Sequence, residues 1–420
     1  MKIIVAHSER QHSYMTATAL KKNGALYKYV TSVYRKNKSL TNFVIKFLKG
    51  STKERAINRV CPFIDEDDVA QICELEELIL LFLVRFKSND FGRRVYMFWE
   101  NHISKKFGKK LAKYAIKENV DAIITYDTQA KYLGRYLKRK NSDIKLIMDV
   151  SAANLSYMKK IFEKDMIICP QFKDRLMKEM WRLWDDKYMS SQKEQLQYIS
   201  NFLVPSTFVK KSLEDNAVDS KKISICPYGA YFSDKEIKER DYSGSRPVKI
   251  VYVGKVNVLK GSYYILEAMM RIPEEVASLT LVGSYDNFDG AFTKYFDRVN
   301  FVGSVIHDEV VEYLNDADVF IIASFGEGLS LAALEAMNMG LPVIVSKNAG
   351  VGDFIEEYYN GFVIPIQNID EIVEKINWFA NNRDKIKEMS DNVITTAKKL
   401  SWDNYYDNLY NVMKDILGTS

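Results

Sequence analysis

The stretch that decides the fold runs from Val319 to Val345 and reads VFIIASFGEGLSLAALEAMNMGLPVIV. It opens on the apolar segment Val319–Ala323, passes through a loop with two glycines, and continues with apolar residues at helical spacing. A second apolar run follows Gly340-Leu341-Pro342. A continuously apolar run is typical of a parallel strand buried on both faces. The stretch therefore predicts a strand, a glycine-flanked loop, a helix and a second strand of one parallel sheet.

The loop and the helix behind it carry polar groups at the edge where parallel sheets bind ligands. Ser330 is expected to cap the helix. A helix that begins just beyond a strand's carboxyl end offers free N–H groups and a positive dipole end, which favour a phosphate. Gly326 and Gly328 permit close approach of the backbone to a ligand. Glu327 and Glu335 can accept hydrogen bonds from hydroxyl groups at two points of one ligand, although two isolated glutamates would more simply face solvent.

The whole segment resembles the E-x7-E signature of retaining GT-B glycosyltransferases of the family-4 kind. The resemblance rests on the strand, the Gly-Glu-Gly, the Leu-Glu-Ala-Met and the Gly-Leu-Pro-Val, and it is strong over about residues 200–410. It implies a GT-B fold, in which two Rossmann-like doubly wound α/β domains face each other across a cleft. It also implies that Glu335 binds nucleotide ribose hydroxyls and that Glu327 holds the donor sugar, with retention at the anomeric carbon.

A second element agrees with the first. The strand Lys249–Val253 ends at Gly254-Lys255, and Leu259-Lys260-Gly261 follows. The family carries a basic residue at both lysine positions, so the resemblance implies that Lys255 and Lys260 neutralise a departing diphosphate. Lys255 stands where the family usually has Arg and lacks the bidentate guanidinium. Two exposed surface lysines are the simpler alternative.

The resemblance also implies the remaining donor contacts. Val302 and Ser304 lie in a segment that resembles the one whose backbone reads the nucleotide base. The predicted donor-binding residues are Gly254, Lys255, Lys260, Val302, Ser304, Phe325, Gly326, Glu327, Gly328, Leu329, Ser330, Leu331 and Glu335. The predicted catalytic residues are Glu327, Lys255, Lys260, Asp149 and Ser151.

The first half of the chain departs from the family pattern. Its first loop reads His7-Ser8-Glu9-Arg10-Gln11-His12-Ser13, without the glycine-rich sequence that family members often carry. Asp149 and Ser151 stand where many members have a His beside the reacting sugar. His7 and His12 are alternative contacts on the acceptor side, although a single loop histidine is more often solvated.

Two Asp-x-Asp pairs invite comparison with metal-dependent glycosyltransferases. Asp65 with Asp67 and Asp316 with Asp318 are better interpreted as solvated or helix-end acids than as ligands of a divalent cation. The lysine pair takes the place of a metal, so we expect metal-independent transfer and no cofactor besides the nucleotide-sugar substrate. No GxGxxG follows an early strand and no Walker A sequence is present, which disfavours a dehydrogenase and a P-loop enzyme.

Strands and helices alternate through the 420 residues, which predicts α/β doubly wound sheets in two domains. We expect a Rossmann-like acceptor-binding domain at 1–230, completed by 401–420, and a Rossmann-like donor-binding domain at 231–400, joined by a linker over 227–247. In this family the terminal helical stretch, here Asp403–Ile416, commonly crosses back onto the first domain. Residues 40–100 are expected to be mostly helical.

The two expected domains differ in charge. Residues 1–230 hold 42 Lys and Arg against 26 Asp and Glu, and residues 231–420 hold the remaining 18 against 29. A basic first domain attracts phosphate-bearing partners such as an anionic membrane surface, for which solvated helix faces are the simpler alternative. Nucleic acid is disfavoured, because no nucleic-acid-binding motif accompanies the charge. The 4 cysteines form no CxxC pair and no signal peptide is evident, so we expect a cytoplasmic protein, peripheral on the inner face of a membrane at most.

These patterns predict a retaining, metal-independent hexosyltransferase. The donor is expected to be a nucleotide diphosphate sugar, UDP first and GDP second. The acceptor is expected to be a saccharide or a lipid-linked saccharide in cell-surface polysaccharide or glycoconjugate synthesis. The alternatives are a nucleotide-sugar epimerase or phosphorylase on a related scaffold, and a non-catalytic GT-B subunit that binds glycans or a partner transferase.

Overall fold

Two parallel β-sheets, each flanked by helices, organise the chain. The computed structural model describes residues 1–8, 12–87, 89–127, 129–230, 237–242, 246–285 and 290–419. Parts of the linker expected over 227–247, and residues 9–11 of the first loop, lie outside these described residues. The domain boundary within the linker therefore stays a prediction.

The first sheet is built from strands of the amino-terminal half. They are β1 (Ile3–Ala6), β2 (Leu26–Thr31), β3 (Val69–Gln71), β4 (Ala122–Thr125), β5 (Lys145–Asp149), β6 (Asn201–Val204) and β7 (Ile223–Ile225). The order β3-β2-β1-β4-β5-β6-β7 is parallel throughout. β1 and β4 are buried at every position, as continuously apolar strands should be. The strand order reverses between β1 and β4, which opens a crevice at their carboxyl ends.

The second sheet repeats this plan with six strands. They are β8 (Val248–Val253), β9 (Ala277–Val282), β10 (Asn300–Gly303), β11 (Val319–Ile322), β12 (Val343–Ser346) and β13 (Gly361–Ile364). Their order, β10-β9-β8-β11-β12-β13, is also parallel and reverses between β8 and β11. The stretch from Val319 to Val345 folds as predicted, because β11 and β12 are adjacent strands joined by a loop and a helix.

Helices cover both faces of the sheets. Those of the first half are α1 (Ser13–Lys22), α2 (Leu40–Ile45), α3 (Gly50–Ile57), α4 (Glu74–Leu83), α5 (Asp90–Lys117), α6 (Ala130–Arg139), α7 (Leu155–Ile168), α8 (Lys173–Glu179), α9 (Asp186–Leu196) and α10 (Thr207–Glu214). Those of the second half are α11 (Ser262–Met269), α12 (His307–Asp316), α13 (Leu331–Asn338), α14 (Ile369–Asn381), α15 (Arg383–Lys398) and α16 (Trp402–Leu417). Residues 40–100 are mostly helical, as expected, with β3 added at the sheet edge. Among the described residues, no helix combines the length and apolar character that crossing a bilayer requires.

The last helix returns to the first domain, as the resemblance implies. α16 packs along α1. Lys22 Nζ lies 2.8 Å from Asp403 Oδ1, and Thr16 Oγ1 lies 3.0 Å from the Tyr405 hydroxyl. Two doubly wound domains joined by a crossing helix are the GT-B arrangement, so the expected fold class is confirmed.

Candidate functional site

The loop from Phe325 to Ser330, here called the donor loop, lies at the carboxyl end of β11 beside the reversal point of the second sheet. The Glu327 N–H donates to the Asn348 carbonyl at 2.8 Å. A Cβ at Gly350 would overlap the carbonyl oxygen of Gly328, so this close contact between two loops requires glycine. The loop that follows β12 therefore holds the donor loop in place.

Lys260 and Glu327 form an ion pair at the ends of two neighbouring strands. Lys260 follows β8, Glu327 follows β11, and Lys260 Nζ lies 2.7 Å from Glu327 Oε2. The Ser324 hydroxyl donates to the other oxygen of the same carboxylate. The Lys260 N–H donates to Asn257 Oδ1 at 3.0 Å, and Gly261 adopts a φ of +66°, where a Cβ would overlap the backbone just beyond β11. This local backbone places the Lys260 amino group against the donor loop.

Lys255 lies at the same sheet edge but is exposed. The Tyr252 hydroxyl donates to the Lys255 carbonyl at 2.8 Å, which fixes the backbone and leaves the side chain in solvent. Of the two predicted phosphate ligands, Lys260 is therefore held by an ion pair, whereas the Lys255 side chain is exposed.

The amino end of α13 presents hydrogen-bond donors. Ser330 stands at the N-cap position but, contrary to expectation, its hydroxyl makes no capping hydrogen bond. Its N–H donates to the Ala349 carbonyl at 3.0 Å, so a loop contact fixes this residue instead. Ser330 is 1% exposed, and its hydroxyl has no hydrogen-bond partner among the residues the structure describes. The first N–H groups of a helix also lack partners within it, so an anion could accept hydrogen bonds from both. Leu329 is buried and Leu331 is exposed on either side.

Glu335 lies within α13 and is half-buried. Burial raises the pKa of its carboxyl above the ordinary value, and the nearby His307 imidazole opposes that shift. His307 is the first residue of α12, and the E-x7-E motif does not predict it as a neighbour of the site. A half-buried carboxylate needs hydrogen-bond donors, and the hydroxyl groups of a ligand can provide them.

Glycines end three adjacent strands of the second sheet: Gly254 after β8, Gly283 after β9 and Gly303 in β10. The Gly283 N–H donates to the Gly303 carbonyl at 2.8 Å. A Cβ at Gly283, where φ is +147°, would overlap the Gly254 carbonyl. Val302 is half-buried and Ser304 is exposed at this edge, which therefore offers backbone groups to a ligand.

The first domain contacts the donor loop directly. The Ser206 hydroxyl, at the start of α10, donates to the Gly328 carbonyl at 2.6 Å. A Cβ at Gly328 would overlap the Ser151 carbonyl oxygen, and a Cβ at Gly326 would press on the Met158 thioether. The structure thus brings the predicted residue Ser151 beside the donor loop, and Gly328 is needed for the two domains to meet this closely.

The Phe325 ring joins the two domains by packing. It is fully buried, with ring centroids 6.3 Å from Phe162 of α7 and 5.9 Å from Tyr264 of α11. The Tyr264 hydroxyl donates to Asp165 Oδ1 across the same interface at 2.6 Å. The side chain of Phe325 is therefore enclosed by protein, and its place among the predicted donor contacts rests on its backbone.

Asp149 is buried in a polar cluster of the first domain. His12 Nε2 lies 2.8 Å from Asp149 Oδ2, and the Tyr228 hydroxyl donates to Oδ1 at 3.0 Å. Burial and the adjacent carboxylate raise the pKa of the Tyr126 and Tyr228 hydroxyls well above the ordinary value. His7 is buried with its ring 4.7 Å from that of Tyr126, so His12 is the more accessible of the two candidate histidines. These contacts tie β5, the first loop and the segment after β7 together.

A polar groove leads from the loop after β5 across the first domain. A cavity of about 90 Å³ is lined by residues 148–155 together with Asp127, Gln192 and Gln195. The same three residues line a second cavity of about 360 Å³ bordered by α5, α6 and α9. Tyr132 and Tyr188 add aromatic surface there, so the groove combines amide, hydroxyl and aromatic groups.

The Asp-x-Asp pairs are engaged by basic side chains. Asp316 Oδ1 lies 2.6 Å from Lys249 Nζ, and Asp318 accepts hydrogen bonds of 2.6 and 2.8 Å from the Arg246 guanidinium. Asp65 pairs with Lys21 at 3.4 Å. Asp316 is the last residue of α12, as expected of a helix-end acid, whereas Asp318 is buried, so the expectation of a solvated or helix-end acid is wrong for Asp318.

Several site neighbours carry no signal in the motif. Ser206, Met158, Tyr264 and His307 reach the donor loop or Glu335 only through tertiary structure. Ser206 alone had a sequence cue, since it follows Val204-Pro205 in the segment that resembles the last strand and helix of the first domain.

Comparisons with known proteins agree with this geometry. A family model described as glycosyl transferases group 1 matches residues 233–400. The chain is 25% identical over 202 residues to an uncharacterized glycosyltransferase of Methanocaldococcus jannaschii, covering 47% of this chain and 54% of that protein. It is 27% identical over 178 residues to the UDP-Gal:alpha-D-GlcNAc-diphosphoundecaprenol alpha-1,3-galactosyltransferase of Escherichia coli, covering 38% and 45%. The chain thus spans about half the length of these curated relatives.

Solved structures match over a longer range. The apo form of the lipopolysaccharide outer core galactosyltransferase WaaB covers 99% of both chains with a TM-score of 0.64 and 15% identity. At this identity the likeness shows the fold, which is GT-B.

Proposed function

We propose that the chain transfers a sugar from a nucleotide diphosphate donor to an acceptor placed between its two domains. The match of residues 233–400 to the group 1 glycosyl transferases supports this proposal. The family and the curated relatives are glycosyltransferases. The reaction retains the anomeric configuration and needs no metal and no further cofactor.

One observation carries the proposal: Lys260, which follows β8, pairs with Glu327 on the loop that leads from β11 into the amino end of α13. A lysine, a buried Ser330 hydroxyl and unpaired helix N–H groups together form a site for a diphosphate. The amino groups of Lys260 and the exposed Lys255 stabilise the negative charge that develops on the departing diphosphate. Glu327 holds the donor sugar, with backbone groups of Gly326 and Gly328 beside it.

The nucleotide lies along the glycine-ended strands of the second sheet. Glu335 accepts hydrogen bonds from the ribose hydroxyl groups, and the backbone at Val302 and Ser304 contacts the base. Uridine is the first choice and guanosine the second. The relative from Escherichia coli supports uridine, since its name specifies a UDP-Gal donor.

Transfer on one face of the sugar accounts for the residues present. The bond from the anomeric carbon to the diphosphate oxygen breaks, and an acceptor hydroxyl oxygen bonds to the same face of that carbon. The acceptor proton passes to the departing diphosphate oxygen, so the reaction needs no separate protein base. Ser151 borders the reacting centre. Asp149 does not contact the substrates but positions His12 through their hydrogen bond.

The acceptor reaches the cleft along the polar groove of the first domain. Tyr132 and Tyr188 provide faces for sugar rings, and the Gln192 and Gln195 amides provide hydrogen-bonding groups. A saccharide or lipid-linked saccharide at the inner face of a membrane fits the groove and the basic charge of the first domain. The relative from Escherichia coli supports this acceptor class, because its printed acceptor is a sugar on diphosphoundecaprenol.

Calorimetric titration with UDP, GDP and ADP tests the donor site, with Lys260→Ala/Glu335→Ala as the site variant. Lys294→Ala is the matched control, because Lys294 pairs with Glu267 on the outside of the same domain. Selective binding of one nucleotide that is lost in the site variant and kept in the control supports the proposal. A folded protein that binds none of them favours a non-catalytic subunit. Product analysis then distinguishes a glycosylated acceptor from an isomerised nucleotide sugar or a sugar phosphate.

A further inference from the structure

Exposed apolar side chains are concentrated in one segment of the first domain. Of the 23 large apolar side chains that are exposed among the described residues, 11 lie between Leu40 and Phe98. This segment is 59 of the 420 residues. Such a concentration on a folded protein marks a surface that meets a partner.

Helix α4 turns its apolar stripe outward. Leu75, Ile79 and Phe82 are all exposed and lie within about 60° of one another at 100° per residue. Glu77 of the same helix is buried against the protein instead. Leu80 of α4 packs inward against Tyr96 and Ile103, so the helix is apolar on both sides and its outer stripe lies exposed.

Phenylalanine rings extend this surface over the neighbouring helices. Phe91 and Phe98 lie seven residues apart on α5, which is about two turns, so they share one face of the helix. They are 78% and 72% exposed. Phe47, just after α2, is 70% exposed and its ring lies 5.2 Å from that of Phe43. α4 packs against both α2 and α5, so the rings belong to one region. The docking face comprises Phe43, Phe47, Leu75, Ile79, Phe82, Phe86, Phe91 and Phe98.

Basic side chains accompany the docking face, although the segment 40–98 holds nine acidic and nine basic residues. Its acids are largely engaged by neighbours: Glu74 accepts from the Thr41 N–H at 2.7 Å, and Glu76 pairs with Lys106. Exposed lysines and arginines lie beside the rings, namely Lys46, Lys49, Lys53, Arg55, Arg85 and Arg94. The exposed face of α5 continues from Phe98 to Lys105 and Lys109.

We propose that the docking face binds the surface of an anionic lipid bilayer. Phenylalanine rings enter the boundary between head groups and acyl chains, while flanking lysines and arginines contact lipid phosphates. A second copy of the chain suits the face less well, because a two-fold contact would bring its basic clusters against each other. A bilayer offers apolar depth and complementary charge together.

Co-sedimentation with lipid vesicles tests the proposal on the full chain. Phosphatidylcholine vesicles with and without phosphatidylglycerol are compared at low and high salt. Wild type should bind the anionic vesicles and lose binding as salt rises. Phe82→Ser/Phe86→Ser and Phe91→Ser/Phe98→Ser should each lower the partition coefficient at least about tenfold, because inserted apolar area is lost.

A charge variant and a matched control complete the design. Lys105→Glu/Lys109→Glu should weaken binding to anionic vesicles about tenfold or more. Ile167→Ser/Met270→Ser removes two exposed apolar side chains outside the segment and should change binding less than about twofold. The two phenylalanine pairs lie in different segments, one at the end of α4 and beyond it and the other on α5. If one double variant misfolds, the other still tests the proposal.

Two results would overturn the proposal. Wild type could fail to bind anionic vesicles at low salt, or both phenylalanine variants could bind as wild type does. Light scattering could instead show that wild type is a dimer, that the phenylalanine variants are monomers, and that neither binds vesicles. That result would assign the docking face to a second copy of the chain. The membrane partner deepens the proposed function, but vesicle binding is measured without donor or acceptor. Failure here and failure of nucleotide binding are therefore distinguishable.

Discussion

Replacing Lys260 with alanine tests the ion pair on which donor binding depends. Lys260 Nζ lies 2.7 Å from Glu327 Oε2 in the free protein, and we expect the same amino group to contact the donor diphosphate. A hydrogen bond between charged groups contributes about 1.5–3 kcal/mol, which corresponds to about 10- to 150-fold in affinity. The variant also leaves the Glu327 carboxylate beside the diphosphate without its cation. The resulting repulsion places the expected loss in the upper half of that range.

Calorimetric titration of UDP at fixed ionic strength provides the measurement. Lys260→Ala/Glu327→Gln should bind UDP better than Lys260→Ala alone, because the unpaired carboxylate is gone, and the two substitutions should be non-additive by about 1–2 kcal/mol. Lys294→Ala is the control, since it breaks a 2.6 Å surface pair with Glu267 and should leave the Kd within about twofold. A loss below about threefold for Lys260→Ala, or strict additivity in the double variant, would refute the reasoning.

The remaining predictions concern burial and the domain contact. Glu335→Gln should weaken donor binding yet raise the Tm near pH 7. Burial raises the pKa of this carboxyl in the folded protein, so its ionisation lowers the free energy of unfolding as the pH rises from the unfolded-state pKa to the folded-state pKa. A neutral glutamine removes that loss. Because the raised pKa lets Glu335 take up a proton at a higher pH, donor binding to wild type should begin to weaken at a higher pH than it would with a glutamate of ordinary pKa. Gly328→Ala should lower both transfer activity and the Tm, because a Cβ there overlaps the Ser151 backbone carbonyl and displaces the donor loop, as rate measurements and thermal unfolding will show. Asp149→Ala should lower the free energy of unfolding by about 3 kcal/mol, because it strips a buried hydrogen-bond acceptor from His12, and denaturant titration measures this.

Much of the fold could be predicted from the sequence because parallel buried strands have a strong apolar signature. β11, the helix α13 and β12 appear where the stretch from Val319 to Val345 predicts them. The strands β2 and β3 have weaker signals, since the residues LYKYVT mix polar and apolar groups and VAQ is only three residues long. Short edge strands are specified by the neighbour they pair with more than by their own composition.

Within the candidate site, the positions of residues in the two family motifs were predictable, and contacts with residues outside those motifs were not. The motif places Glu327 and Lys260 at the ends of neighbouring strands, and the structure pairs them. The contact of Ser206 with the donor loop joins residues 122 positions apart, and no local pattern encodes it. The burial of Asp149 with His12 likewise depends on how β5 meets the first loop. Ser330 failed as a cap because propensity describes the isolated helix end, whereas the loop after β12 determines its contacts here.

Proton NMR of donor hydrolysis tests the central claim, retaining transfer from a nucleotide sugar, without knowledge of the acceptor. The α-linked donors UDP-glucose, UDP-galactose and UDP-N-acetylglucosamine are incubated with the full chain, and water serves as the acceptor. The account predicts that UDP is released and that the free sugar first appears as the α-anomer, before mutarotation, with Lys260→Ala/Glu335→Ala inactive. A β-anomer as the first product, a sugar 1-phosphate or an isomerised nucleotide sugar would contradict it.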